Sequence, residues 1–362
     1  MVGRIYKMLV LLLSVIFVSC NTDKGDQERM VNLQQVSNNV ESQLENLSAA
    51  IAKSKRDGSL YARRAVVLLR RGELDQALQD ADRAVKLTKN EPASLFVKAQ
   101  VLRVMGREGE ALPLALRAER NSYQSSSLYV LLGEMYLQRR DYQKALVYLN
   151  KAQELSPADE FAFYYKGRVL AATGDTARAE HYYKQALENA SSFMEPQREL
   201  AGIYIAQDDF AIAGTYINGA IKLAPNDGQV LYYKGLSYLS AQKPDSAQQY
   251  FVKALSVNDT LQGANYQLGI MRHSQGDNAA AIAHLEKVVS KVYINRPKYM
   301  TTLASSYERT GQYANSLAQY HRLVNIEPSY TFAYESISRL KYKLSRPKPD
   351  STKVRQVTSE EQ

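Results

Sequence analysis

The sequence predicts an all-α protein, an array of helical hairpins stacked side by side, and three ladders of small residues carry that prediction. Ala65, Ala99, Gly133, Gly167, Ala201, Gly235 and Gly269 are each 34 residues apart, and Ala304 follows after one extra residue. A second ladder runs in phase through Ala77, Ala111, Ala145, Ala179, Ala213, Ala247 and Ala281 and ends at Ser316. The third passes through Ala84, Ala118, Ala152, Ala186, Ala220 and Ala254 and ends at Val288 and Leu323. A small residue at a fixed phase marks a place where one helix must lie close against another, once per unit.

The residues between the ladders are clearest in the third unit, where Tyr129, Leu132, Gly133, Tyr136, Asp141, Tyr142, Ala145, Leu149, Ala152, Leu155 and Pro157 fall in order. This pattern resembles the tetratricopeptide repeat (TPR), two antiparallel helices per 34 residues. The resemblance covers residues 58–330, about three quarters of the chain, as eight units starting at Gly58, Pro92, Ser126, Glu160, Met194, Gly228, Gln262 and Pro297. It implies a right-handed superhelical solenoid of TPR helical hairpins.

Taken in order, the elements start with an export signal. Arg4 and Lys7 form a positive head, and Met8 to Val18 is an apolar or small-residue run too short to span a bilayer. Residues 1–19 therefore read as a signal peptide that is removed. The run ends in Phe17-Val18-Ser19-Cys20, which resembles the lipobox of bacterial lipoproteins, with Phe17 where the family usually carries Leu. The resemblance implies acylation of Cys20, the only cysteine in the chain, and Asn21 in place of Asp points to the outer membrane. Residues 20–29 are polar and suit a tether.

Across 30–57 the apolar residues Met30, Leu33, Val36, Val40, Leu44, Leu47 and Ile51 step by threes and fours, the spacing of a helix. Two readings fit it: a half-repeat capping the first unit, or a stripe through which two chains dimerise. Within the eight units, Gly72, Gly106, Gly174, Gly276 and Gly311 fall at the turn between helices, where Arg140, Asp208 and Gln242 stand in the other three. Pro244 suits the first turn of a second helix, whereas Pro113 predicts a kink or a late start. Gln197 and Asn265 replace an apolar residue and predict looser packing of two first helices. Phe332, Ile337, Leu340 and Leu344 mark a capping helix over 331–345, and 346–362, with Pro347, Pro349 and mixed charges, reads as disordered.

Composition narrows the function. The net charge of +9 falls to +7 once a signal carrying Arg4 and Lys7 is removed. Arg63, Arg64, Arg70 and Arg71 are the densest basic cluster, read either as a contact for lipid headgroups or an acidic wall polymer, or as a solvated face. Export argues against nucleic acid. Four scattered histidines and one acylated cysteine make no metal set, and no phosphate-cradling loop, Gly-x-Ser-x-Gly elbow or His-Glu-x-x-His is present. No cofactor and no enzymatic activity are expected.

The TPR resemblance implies that the second, fifth, ninth, twelfth and thirteenth residues of each first helix face a groove. There the sequence places Phe96, Phe161, Tyr164, Arg168, Arg198, Tyr232, Tyr266 and His273, with Tyr165 and Tyr233 on the rim. Rings with interleaved cations suit an extended or helical peptide bearing acidic groups. Alternatively, tyrosine is simply the filler of a chain with 26 tyrosines and no tryptophan. No unit pairs Lys at the fifth position with Asn at the ninth, which argues against a chaperone-tail carboxylate clamp.

The expected function is a non-catalytic scaffold or adaptor in the cell envelope, serving secretion or pilus channels, outer-membrane assembly or peptidoglycan enzymes. The expected partners are protein segments, with the membrane engaged through Cys20. A surface-facing lipoprotein that binds glycan or a small ligand is the alternative.

Overall fold

Nine of the described helices start at a side chain that accepts the first free amides, and the hairpin turns are made by residues that reverse the chain. The computed structural model describes residues 39–345, which contain nineteen α-helices and no strand. The signal segment, Cys20, the tether, the start of the first apolar stripe and the tail 346–362 lie outside the described residues.

The described residues fall into two units divided after Tyr123. The first holds α1 (Val40–Lys53), α2 (Gly58–Arg71), α3 (Leu74–Leu87), α4 (Pro92–Val104) and α5 (Glu108–Arg120). The second runs from α6 (Ser126–Gln138) and α7 (Tyr142–Leu155) through α8 (Glu160–Ala172), α9 (Thr176–Asn189), α10 (Met194–Ala206) and α11 (Phe210–Leu223). It continues with α12 (Gly228–Ser240), α13 (Pro244–Val257), α14 (Gln262–Ser274) and α15 (Asn278–Leu285). It ends with α16 (Lys291–Ile294), α17 (Pro297–Arg309), α18 (Tyr313–Ile326) and α19 (Thr331–Ser345). Within each unit consecutive helices pack on one another, except that α15 packs on α17 past the short α16, and first helices align, α6 with α8 and α10 with α12.

Asp141, Asp159, Asp175, Asp209, Asp227 and Asp277 each accept the amide three residues on and so cap the following helix. The turn between the helices of a hairpin passes through the left-handed region in all eight cases. Five use glycine; Arg140, Asp208 and Gln242 adopt φ of 60°, 60° and 56° there. For these three the tight reversal outweighs the steric cost of a side chain in that region.

In six of the eight hairpins, packing trades volume between the first ladder and the residue sixteen on. Gly133, Gly167, Gly235 and Gly269 leave room for Leu149, Tyr183, Phe251 and Leu285, sixteen residues on. Where alanine stands at 65 and 99, the position sixteen on is also alanine, Ala81 and Ala115, and all four are buried.

Several expectations are corrected. Helix α5 starts at Glu108 and runs through Pro113 without a late start, because the ring faces solvent and Gly109, the residue four before it, has open space around it. Asn265 does not loosen its helix: it is fully buried, and its amide donates to Asp259 O at 2.9 Å and Leu261 O at 3.3 Å. Gln197 donates to Ser191 O at 3.0 Å and fills the space above Gly219. In α19 the buried side is Ala333, Ser336, Ile337 and Leu340, while Phe332 and Leu344 are exposed. On α1, Leu44 packs on the first unit's core and Ile51 is buried, so that part of the stripe is occupied within the chain. Arg64 holds Asp80 through two hydrogen bonds of 2.6 and 2.8 Å, and Arg71 pairs with Glu41 and Glu73, which neutralises half of the basic cluster.

Candidate partner-binding site

The expected groove residues divide by what their first helices bring together. In the first unit, Phe96 is buried with Tyr123 at 5.3 Å between ring centroids. The remaining seven lie in the second unit.

Tyr164 on α8 is only 4% exposed and packs on Tyr165, Phe193 and Tyr183 with centroids at 5.0, 5.2 and 5.9 Å. Phe161, one turn before it, is exposed and lies 4.9 Å from Phe193. Arg168, one turn after, donates Nη1 to the Tyr164 hydroxyl at 3.0 Å. Arg198 on α10 is committed within the chain, to Asp227 at 3.1 Å and Glu199 at 3.3 Å. Asp227 thus does two jobs, since its other oxygen caps α12 through Val230 N at 2.8 Å.

Burial pushes the Tyr164 phenol up, against the pull of Arg168. It pushes Tyr183 up further, and the Tyr183 hydroxyl is buried without a hydrogen-bond partner. Next to this cluster, Lys166 is buried with Gln153 as its acceptor, and burial depresses its pKa. Glu199 and Asp227 offset Arg168 and Arg198, so the cluster is polar and charge-balanced.

Tyr232 and Tyr266 are 7% and 5% exposed and meet around a residue that was not singled out, Tyr293 of α16. Its ring lies 5.0 Å from that of Tyr266, and its hydroxyl 3.5 Å from that of Tyr232. Arg296 stands over Tyr266 and Tyr293 at 5.6 and 5.1 Å. His273 is no free cation: its Nδ1 lies 2.9 Å from Ser306 Oγ and 3.1 Å from Asn278 Oδ1, and burial depresses its pKa. It ties α14 to α15 and α17.

A pocket of about 610 Å³ opens beside Tyr232, Tyr233, Tyr293 and Arg296. Burial also pushes the Tyr233 phenol up. Many other tyrosines serve hairpin packing. Tyr136 and Tyr148, Tyr204 and Tyr216, and Tyr238 and Tyr250 stack in pairs twelve residues apart, with centroids at 5.5, 5.7 and 5.3 Å. The ring faces of the fifth-position tyrosines are therefore mostly spent on the protein itself. The groups left to meet a partner are their polar edges, Phe161, Arg168 and Arg296.

Position-by-position reading missed Tyr183, Phe193, Glu199, Asp227, Tyr293 and Arg296. A signal for the last two was present, because they lie in the one interval where the period lengthens by a residue. Among the described residues no group of His, Cys, Asp and Glu is placed to hold a metal ion, and no helix is long and apolar enough to cross a membrane.

The chain is similar to known helical-repeat proteins. It is 26% identical over 165 residues, 44% of its length, to human protein O-mannosyl-transferase TMTC1, of which it spans 19%. It is 27% identical over 168 residues, 46% of its length, to the type IV pilus assembly protein PilF of Pseudomonas aeruginosa, of which it spans 66%. Its fold is similar to that in the crystal structure of the APC/C hetero-tetramer Cut9–Hcn1, with a TM-score of 0.61 at 16% identity over 84% of this chain and 60% of that one. The tetratricopeptide repeat family pattern matches residues 36–92, 96–160, 164–228 and 232–297. With most of its length matched in four consecutive stretches, the chain belongs to the tetratricopeptide repeat family.

Proposed function

We propose that this protein is a non-catalytic adaptor of the bacterial cell envelope, anchored in the outer membrane by acyl chains on Cys20, with its repeats in the periplasm. It binds a segment of a protein partner along the first helices of the second unit. The observation that carries this reading is that two cations of the second unit are left to meet a partner beside buried rings, Arg168 at Tyr164 and Arg296 over Tyr266 and Tyr293. Cations held in this way can hydrogen-bond a peptide backbone and hold its acidic groups with little reorganisation. Several acyl chains, each burying methylenes worth about 0.8 kcal/mol apiece, would make the anchor effectively permanent.

Among envelope pathways, the similarity to a pilus assembly protein favours secretion or pilus assembly over outer-membrane assembly or peptidoglycan synthesis. The pocket lining of Tyr232, Tyr233, Gln229 and Gln267 is the observation that favours the second reading, a glycan-binding lipoprotein. Self-association through the start of the N-terminal apolar stripe is compatible with either.

Labelled palmitate should enter the native protein and carry it to the outer-membrane fraction, and a Cys20→Ala variant should show neither. The purified protein should bind no wall or surface polysaccharide; retention on such a polymer would favour the glycan reading. Labelling that survives Cys20→Ala would contradict the proposed anchor.

A further inference from the structure

The 34-residue period fails once, between Gly269 and Ala304, and the seventh hairpin is built differently there. Its second helix, α15, has 8 residues, where α13 and α18 have 14 each. The sequence from Val288 to Ile294 is rich in β-branched residues, which lose side-chain freedom in a helix. The break is held by dedicated bonds. Gln262 Oε1 accepts from Val289 N at 2.7 Å and Ser290 N at 3.1 Å, and its amide nitrogen donates to Lys287 O at 3.3 Å. The Tyr299 hydroxyl donates to Leu285 O at 3.0 Å. Backbone groups released from the helix are thereby satisfied, so the interruption is a stable feature of the fold.

Its consequence is a change of lining. The short helix α16 places Tyr293 against Tyr266, and Arg296 against both. Arg296 differs from Arg198 in being uncommitted to a carboxylate: its hydrogen bond runs from Nε to Val292 O at 3.0 Å, and it forms no ion pair among the described residues. Its terminal nitrogens remain available to an acceptor. Tyr293 and Arg296 line the pocket together with the apolar side chains of Ile205, Phe210, Leu236 and Leu239. Asp208 is the one carboxylate of that lining, and it is not paired with Arg296. On the same segment, Val289 and Val292 are 74% and 66% exposed, more than any other large apolar side chain among the described residues.

We infer that the interrupted second helix, residues 286–296, is a specificity element that selects partner segments carrying an apolar side chain next to a single carboxylate. The apolar side chain enters the pocket and the carboxylate meets Arg296, whose charge is held over two rings. Asp208 repels a second acid, so a polyacidic run is disfavoured. Val289 and Val292 give the segment an apolar flank against which the partner chain can lie. This assignment rests on the reading that the second unit binds protein segments.

Selection of a random-peptide library on the full chain in detergent micelles tests it, run in parallel on Arg296→Gln and Arg296→Glu. The native protein should enrich peptides with Asp or Glu adjacent to an aliphatic or aromatic residue. Those peptides should bind Arg296→Gln about tenfold more weakly, the expected size of a lost charged hydrogen bond. Arg296→Glu should enrich Lys or Arg in place of the acid, an outcome that general loss of folding does not produce. Peptide binders with no acidic preference, or with affinities indifferent to both variants, would overturn this inference and leave the scaffold reading intact. A library yielding no binder at all, beside a sugar polymer that is retained, would overturn both.

Discussion

Gly167 makes the space that the ring of Tyr183 fills: a Cβ at position 167 would stand 2.6 Å from Cε1 of Tyr183. No real contact is that short, and a ring wedged between two helices cannot rotate away. Gly167→Ala gains roughly 1 kcal/mol of helix propensity but should lose more through overpacking, which typically costs about 1–3 kcal/mol. Gly214 lies inside α11 with nothing near its Cβ direction, so Gly214→Ala should stabilise by about 0.5–1 kcal/mol. Denaturant midpoints of the two variants should move in opposite directions.

The same tyrosine supplies a second prediction. Its hydroxyl is buried without a partner, so Tyr183→Phe removes an unsatisfied group and keeps the ring. The variant should be more stable by about 1 kcal/mol, the low end of the cost of leaving such a group unpaired. A loss of stability would mean that the hydroxyl has an acceptor.

At the hairpin turns, Gln242 and Arg140 occupy the left-handed conformation that glycine provides at Gly72. Gln242→Gly and Arg140→Gly should each raise stability by about 0.5–1 kcal/mol through relief of that strain. Thermal unfolding of the single and double variants checks both the sign and the additivity.

Acid should weaken the seventh hairpin. His284 Nδ1 lies 3.0 Å from Asn265 Oδ1, and because the Asn265 nitrogen already donates to two carbonyls, the imidazole donates from Nδ1. Burial, reinforced by Lys287 and Arg272 and opposed by Asp277, holds its pKa below 6.5. His273 is depressed in the same sense, by burial first and then by Arg309. With folded pKa values below the unfolded one, the native state binds fewer protons. This stability is therefore fully present above about pH 6.5 and is lost as pH falls through the folded values. Thermal midpoints should drop between about pH 7 and 5, and His284→Gln should flatten part of that slope.

The repeat period made the fold legible because close helix approach tolerates only small residues, and those residues are visible without knowing their neighbours. The site was less legible. Position in the repeat singled out Tyr164, Tyr232 and Tyr266, but it could not show that each ring is buried, since that depends on Phe193, Tyr183 and Tyr293 arriving from the following segments. Arg198 read as a free cation because its partner, Asp227, stands 29 residues on at the start of another helix. Asn265 read as a defect because what satisfies it, two carbonyls just ahead of its own helix and His284 from the next, shows only once the chain is folded.

That burial changes which substitution probes the site. Tyr164→Ser, Tyr232→Ser and Tyr266→Ser should each cost several kcal/mol of stability, as large-to-small core changes do, at about 3–5 kcal/mol for an aromatic ring. A loss of partner binding in such variants would report unfolding. Arg168→Gln removes the charge, keeps most of the methylene stem and a donor, and leaves the buried rings in place, so circular dichroism and thermal unfolding should be close to native.

In-cell cross-linking with mass-spectrometric identification of captured proteins, comparing the native chain with Arg168→Gln, tests the central claim most directly. The account predicts a defined protein partner captured by the native chain and strongly depleted with the variant at equal abundance. Capture of the same partner in equal amounts by both, or of no protein but the chain itself, would contradict it.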